Sequence, residues 1–222
     1  MGLNITVARL ASVVGGIIIP SLIISDGGLI DSTMEVGVAI CIFSLLSGLV
    51  LCSLDWYADK KDGKVVSLNP EDKFHWSDLL TFGLPFWLVT FSCMFVYMSI
   101  FPFIQLSSTM ASVKYGFNSV NAGKIYSVPY LMSAFLSPIL GFVIDKIGKR
   151  ALFIMTSSLL VAVSCFWVAV SPNYTSANYS VLGPEILIGF GYSIYASALW
   201  SSIPYIVEEK TIGSAFGMTT AF

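Results

Sequence analysis

The sequence predicts an all-α, polytopic membrane protein, and three observations carry that prediction. Hydrophobic residues make up 56% of the chain and charged residues only 11%, against about 25% charge in a soluble domain. The mean hydropathy of +0.83 leaves too little polar surface to wrap a soluble core. The apolar residues also fall in continuous runs, without the alternation of a membrane β-barrel. A net charge of −2 offers no electrostatic footprint for nucleic acid.

A spanning helix needs about 20 mostly apolar residues, and six runs qualify: Leu3–Ser25, Val36–Leu54, Leu79–Leu106, Ile125–Ile144, Ala151–Ser171 and Val181–Val207. A seventh starts near Ile212 and is cut off at Phe222. Met1 is not followed by a basic segment and a small-residue cleavage site, so the first run reads as a span rather than a secretory signal. The connections are short except for Asp55–Asp78, which is polar, mixed in charge and contains Asn69-Pro70; it reads as a surface linker between two helix groups.

Basic residues orient the bundle. Alternate connections form two sets. Asp55–Asp78, Asp145–Arg150 and Glu208–Lys210 hold Lys60, Lys61, Lys64, Lys73, Lys146, Lys149, Arg150 and Lys210; Asp26–Glu35, Ser107–Lys124 and Pro172–Ser180 hold only Lys114 and Lys124. The first set is read as cytoplasmic. Two glycosylation sequons, at Asn173 and Asn178, lie in Pro172–Ser180 and agree, because such acceptors are used on the opposite side. The sequon at Asn4 falls at the cytoplasmic end of the first run and is set aside as chance.

Few residues suggest catalysis. Cys41, Cys52, Cys93 and Cys165 lie in apolar runs without C-x-x-C spacing and read as packing residues. The sole histidine, His75, lies in the polar linker, so neither a metal site nor a cofactor is implied. There is no G-x-S-x-G, no H-E-x-x-H and no pair of intramembrane aspartates, which argues against an enzyme.

Arg9 is the only basic residue well inside an apolar run, about two turns from its cytoplasmic end. A charge at the bilayer centre costs about 2.5–3.5 kcal/mol on insertion scales. Arg9 therefore either snorkels to the interface or faces a cavity, where its planar fork suits a substrate carboxylate. Glu185 follows Pro184 at a helix start, where the dipole stabilises it. Gly189, Tyr192, Ala196 and Trp200 share its helical face, which either lines the cavity or packs through its small residues. Tyr97, Phe101 and Gln105 stack on the third run; Tyr126, Tyr130, Ser133 and Ser137 form a polar stripe on the fourth, read as either cavity lining or interhelical glue. Pro102, Pro129 and Pro138 are expected to break or kink their helices.

The loop after the fourth run holds Gly141, Asp145, Lys146, Gly148, Lys149 and Arg150. Its basic residues suffice as a topology anchor, but not its glycines or Asp145. Gly141 is expected to admit a close helix, Gly148 to turn with positive φ, and Asp145 to sit against a helix N-terminus. The spacing G-x-x-x-D-K-x-G-K-R resembles the signature between the second and third helices of each half in the major facilitator superfamily. The segments VARLAS (Val7–Ser12), FPFIQL (Phe101–Leu106), YGFNS (Tyr115–Ser119), SPILGFVIDKIGK (Ser137–Lys149), GYSIYASALW (Gly191–Trp200) and VEEKTIGSAFG (Val207–Gly217) are similar, in that order, to lysosomal dipeptide transporters of this superfamily.

The resemblance implies a partial helix bundle. Residues 1–54 would be the last two helices of the N-terminal half, 55–78 the cytoplasmic central linker, and 79–222 the C-terminal half, truncated within its fifth helix. It implies alternating-access transport of a small solute such as a dipeptide by the full-length protein, with a fragment of this length expected to be incompetent alone. It further implies a substrate site at Arg9, Tyr97, Phe101, Tyr126, Tyr130, Tyr192 and Trp200, a gating latch at the Gly141–Arg150 loop, a lysosomal bilayer, and a glycosylated single-span accessory protein as partner. Ala11 and Glu208 depart from the family pattern, where glycine and proline are expected. A non-transporting membrane subunit and a facilitator for a different organic solute stand as alternatives.

Overall fold

The structure is a computed structural model that describes residues 2–25, 31–62 and 82–221. Its described residues form helices α1 (Gly2–Ser25), α2 (Asp31–Asp62), α3 (Leu84–Val113), α4 (Ser119–Ile147), α5 (Arg150–Val170), α6 (Leu182–Ile206) and α7 (Ile212–Ala221). Helices α2 to α6 are each long and apolar enough to cross a membrane. Helix α1 has 24 residues, about 36 Å at 1.5 Å per residue, and carries Arg9. The chain divides into two compact units, residues 1–20 with 76–222, and residues 21–75.

Within the second unit, α2 is one continuous helix. It runs past the apolar stretch through Asp62, so residues 55–62 of the expected linker are helical, and Lys60 lies over the Trp56 ring at 5.2 Å. Lys64, Asn69, Pro70, Lys73 and His75 lie outside the described residues.

In the larger unit the helix ends follow local chemistry. Helix α3 starts at Leu84 rather than Leu79, because extended Gly83 is its N-cap and Pro85 fits the first turn. It continues past Leu106 to Val113. The Asn118 side chain accepts a hydrogen bond from the Asn121 N–H and starts α4 six residues before Ile125. The expected outer connection Ser107–Lys124 thus shrinks to a tight turn. Helix α4 ends at Gly148, whose φ of 73° permits the left-handed cap. A 3-10 turn, Tyr179–Val181, leads directly into α6. Pro102, Pro129 and Pro138 do not break their helices, since α3 and α4 run through them.

Helix α6 is the hub, packed against α3, α4 and α5. Ile188, Tyr195, Leu199 and Ile203 on it are fully buried. A Cβ at Gly189 would lie 2.9 Å from Pro129 Cα, so the α4–α6 approach needs glycine there. Gly16 plays the same part between α1 and α4: a Cβ there would overlap Ser127 Oγ and come within 2.8 Å of Tyr126 Cδ1. Gly141, by contrast, has nothing within 4 Å of a built Cβ among the described residues, so it mediates no close helix contact there.

These contacts separate two substitutions of one residue type. Gly16→Leu is expected to destabilise the protein by about 1–3 kcal/mol through overpacking, whereas Gly141→Ala stays within about 0.5–1 kcal/mol of wild type. Thermal unfolding of both variants in detergent, at native length, checks the difference.

Candidate functional site

Arg9 does not snorkel. Its side chain is 6% exposed, with Nη1 donating to Ser137 Oγ on α4 at 2.8 Å and the guanidinium carbon 4.1 Å from the centroid of the Tyr192 ring on α6. Ser137 Oγ lies 3.3 Å from Ser133 Oγ, so the polar stripe of α4 does its work here, as the support of a buried cation. A cation over an aromatic face contributes about 0.5–2 kcal/mol, and a hydrogen bond to a charged donor about 1.5–3. Together these are comparable to the cost of placing an arginine at bilayer depth.

Arg9 borders a cavity of about 820 Å³, within the usual range of roughly 300–1,000 Å³ for small-molecule sites. Tyr97 and Phe101 line it from α3, Tyr130 from α4, and Tyr192 and Trp200 from α6. Tyr97 stacks on Phe101 with centroids 5.1 Å apart and meets Tyr192 edge-on at 6.1 Å. Trp200 stacks on Phe216 of α7 at 6.0 Å. The wall is therefore rigid, aromatic and mostly apolar, with phenol and indole edges. Among the described residues that line it, Arg9 is the one charged side chain.

Other expected members lie elsewhere. Tyr126 and Gln105 border a separate cavity of about 410 Å³ beside Gly16, with Ser12 shared between the two. Gly189 is packed against α4, and Ala196 is buried. Glu185 is fully buried away from Arg9, and its Oε1 accepts from Ser107 Oγ at 2.6 Å. Glu185 lies in the first turn of α6, the helix-start position that the Pro184-Glu185 pair suggests. Sequence reasoning did not find Ser12, Cys93, Met94, Met98, Thr219 or Thr220 in the lining. Their residue types are ordinary in membrane helices, and only the rotation of α1, α3 and α7 brings them inward. Thr219 is tied to α3 by a 3.5 Å contact with Thr90.

At the C-terminal end of α4, Asp145 bonds to Arg150 at 3.0 Å rather than to a helix terminus. Asp145 is 64% exposed and Arg150 16%. Arg150 also donates from Nε to Ser201 Oγ at 3.3 Å and lies 4.0 Å from the Tyr205 ring centroid. The loop thus joins α4, α5 and α6 through one guanidinium. Lys146 and Lys149 are exposed.

The opposite end is tied differently. Lys114 Nζ donates to the Val168 carbonyl at the end of α5, Tyr174 N–H donates to the Lys114 carbonyl at 2.7 Å, and Asn178 N–H to the Tyr115 carbonyl at 3.0 Å. Asn178 also accepts from the Ser180 N–H through its side chain, whereas Asn173 is exposed.

The family model described as Major Facilitator Superfamily matches residues 1–222. The chain is similar to the human lysosomal dipeptide transporter MFSD1, 31% identical over 97% of this chain and 47% of the relative. It is 32% identical to the zebrafish (Danio rerio) protein of that name over the same shares, and 33% identical to the bovine (Bos taurus) one over 83% of this chain and 38% of the relative. The chain spans about half the length, or less, of these curated relatives.

The stack of Arg9 on Tyr192 predicts an energetic coupling. A double-mutant cycle of Arg9→Met and Tyr192→Leu, read by thermal stability in detergent, is expected to give about 0.5–2 kcal/mol. Additive losses would show that the two side chains do not interact.

Proposed function

The chain belongs to the Major Facilitator Superfamily, and from that premise we propose that it forms part of an alternating-access transporter whose cargo is a dipeptide. The observation that carries the reading is Arg9, a buried guanidinium on the border of an aromatic cavity, already oriented by Ser137 and Tyr192. Among the described residues, one of its five N–H donors is used on Ser137, which leaves a fork for the substrate carboxylate. Tyr97, Phe101, Tyr130, Tyr192 and Trp200 contact the body of the peptide, and Tyr126 serves the adjoining smaller cavity. The aromatic wall tolerates many side chains, because flat apolar surface discriminates weakly while the shared carboxylate fixes the register. The amino end of the peptide meets an acidic or polar group on another part of the protein.

Residues 1–54 act as the last two helices of one half and 79–222 as most of the other, joined by a linker in 55–78, with the cavity between halves near the bilayer midplane. Gly141, Asp145, Lys146, Gly148, Lys149 and Arg150 form the cytoplasmic latch. Its ion pair lies at the protein surface, where such pairs contribute about 0–1 kcal/mol, so it exchanges readily for another arrangement during rocking. The names of the relatives support a lysosomal membrane as the setting, and the outer loop bearing Asn173 suits an accessory glycoprotein or the chain's own glycan as its cover.

Uptake of labelled dipeptide into proteoliposomes by the native-length protein tests the site. Arg9→Ala is expected to lower kcat/KM at least tenfold, a loss of about 1.4 kcal/mol or more in transition-state stabilisation. Arg9→Lys recovers only part of it, because an ammonium lacks the planar fork. A dipeptide with an amidated C-terminus should compete poorly with wild type; equal competition would remove the carboxylate from the account.

The outer loop gives a second expectation. Asn173→Gln removes the glycan-dependent gel shift, while Asn178→Gln leaves it, because Asn173 is exposed whereas Asn178 is half-buried and held through its backbone to Tyr115. A shift lost only in Asn178→Gln would reverse the assignment.

A further inference from the structure

Gly15 and Gly16 are neighbours on α1 with opposite surroundings. A Cβ at Gly16 would overlap Ser127 Oγ on α4, so that glycine belongs to the helix contact. A Cβ at Gly15 would meet only Ile19 Cδ1 of its own helix, at 3.8 Å, an ordinary van der Waals distance. No packing contact among the described residues therefore demands a glycine at position 15. What Gly15 does border is the smaller cavity of about 410 Å³, and its missing side chain is part of that space.

That cavity continues the Arg9 cavity along the helix axes. On α1 the lining passes from Arg9 to Ser12 and on to Gly15 and Gly16; on α3 it passes from Phe101 to Gln105 and Ser108; on α4 it passes from Tyr130 back to Tyr126. Each step is one turn along one helical face. Ser12 belongs to both cavities. It lies about 4.5 Å along the axis from Arg9, at 1.5 Å per residue. The two spaces differ in chemistry. The larger is walled by aromatic rings and holds the guanidinium. The smaller is lined by the hydroxyl side chains Ser12, Ser108 and Tyr126 and the amide Gln105, with no charged group among the described residues that border it.

A dipeptide presents one carboxylate and two side chains. The C-terminal side chain branches from the carbon bonded to the carboxylate, whereas the other starts one residue away, about 3.8 Å between α-carbons. With the cargo a dipeptide and its carboxylate on Arg9, the reading on which this rests, the C-terminal side chain is the one within reach of the Ser12 opening. We propose that the smaller cavity is the specificity subsite for the C-terminal side chain of the cargo, suited to a neutral polar or aromatic group, and that Gly15 sets the size it admits. The hydroxyl and amide groups around it can donate to or accept from a polar side chain, while a charged one finds no counter-charge on these residues. The N-terminal side chain stays against the aromatic wall, where flat apolar surface discriminates weakly.

Two sequence isomers read the subsite, because Ala-Phe carries its ring on the C-terminal residue and Phe-Ala on the N-terminal one, with the same composition and charge. In proteoliposomes holding the native-length protein, Gly15→Val is expected to lower kcat/KM for Ala-Phe at least about tenfold relative to Phe-Ala. Uptake of Phe-Ala and of Ala-Ala by that variant should stay close to wild type. If Gly15→Val does not fold, Ser108→Val narrows the same cavity from α3 and is read by the same ratio. Equal losses for the two isomers, a larger loss for Phe-Ala, or no loss for either would overturn the subsite and leave the dipeptide reading standing. Uptake of neither isomer by wild type would overturn both.

Discussion

A guanidinium cannot rest in the hydrocarbon of a bilayer without partners, and the placement of Arg9 follows from that constraint. Ser137 holds one edge of the group and the Tyr192 ring covers one face. Meeting both partners fixes the rotation of α1, α4 and α6 relative to one another. Gly16 lets α1 approach α4 closely enough for the arginine to reach, and Gly189 does the same between α4 and α6. The stripe of small residues and the buried cation are thus parts of one arrangement, and the aromatic cavity is the space it leaves.

The two ends of the larger unit are built from different interactions. At one end, the backbone groups of Tyr174 and Asn178 bond to those of Lys114 and Tyr115, and Lys114 covers a terminal carbonyl of α5. These bonds join two turns into one cap. At the other end, a surface pair between Asp145 and Arg150 carries the connection, supported by Ser201 and Tyr205. Surface ion pairs are weak and easily exchanged, so the end held by Asp145 and Arg150 is the more readily rearranged of the two.

Much of this was readable in the sequence, for reasons that differ by feature. Continuous apolar runs identify spans because the bilayer demands length and apolarity together. Gly148 announced its positive φ because a left-handed cap admits few other residues. Arg9 stood out because an intramembrane charge needs a purpose. Helix ends were less readable: Asn118 and Gly83 decide the starts of α4 and α3 by capping, which hydropathy does not record. Rotation was least readable. A membrane helix is apolar on most faces, so nothing in the run itself places Tyr126 beside the smaller cavity, turns Thr219 inward, or buries Glu185. Gly141 meets no close neighbour among the described residues, since a missing side chain permits a close contact without requiring one.

The account stands on Arg9 as the anchor of an anionic group in the cavity. Electron cryomicroscopy of the native-length protein with a saturating dipeptide reads this directly. The ligand carboxylate is expected within hydrogen-bond distance of the Arg9 guanidinium, with the peptide against Tyr97, Tyr192 and Trp200. A dipeptide seated in the transport path with its carboxylate on another cation, and Arg9 still covered by protein, would contradict it.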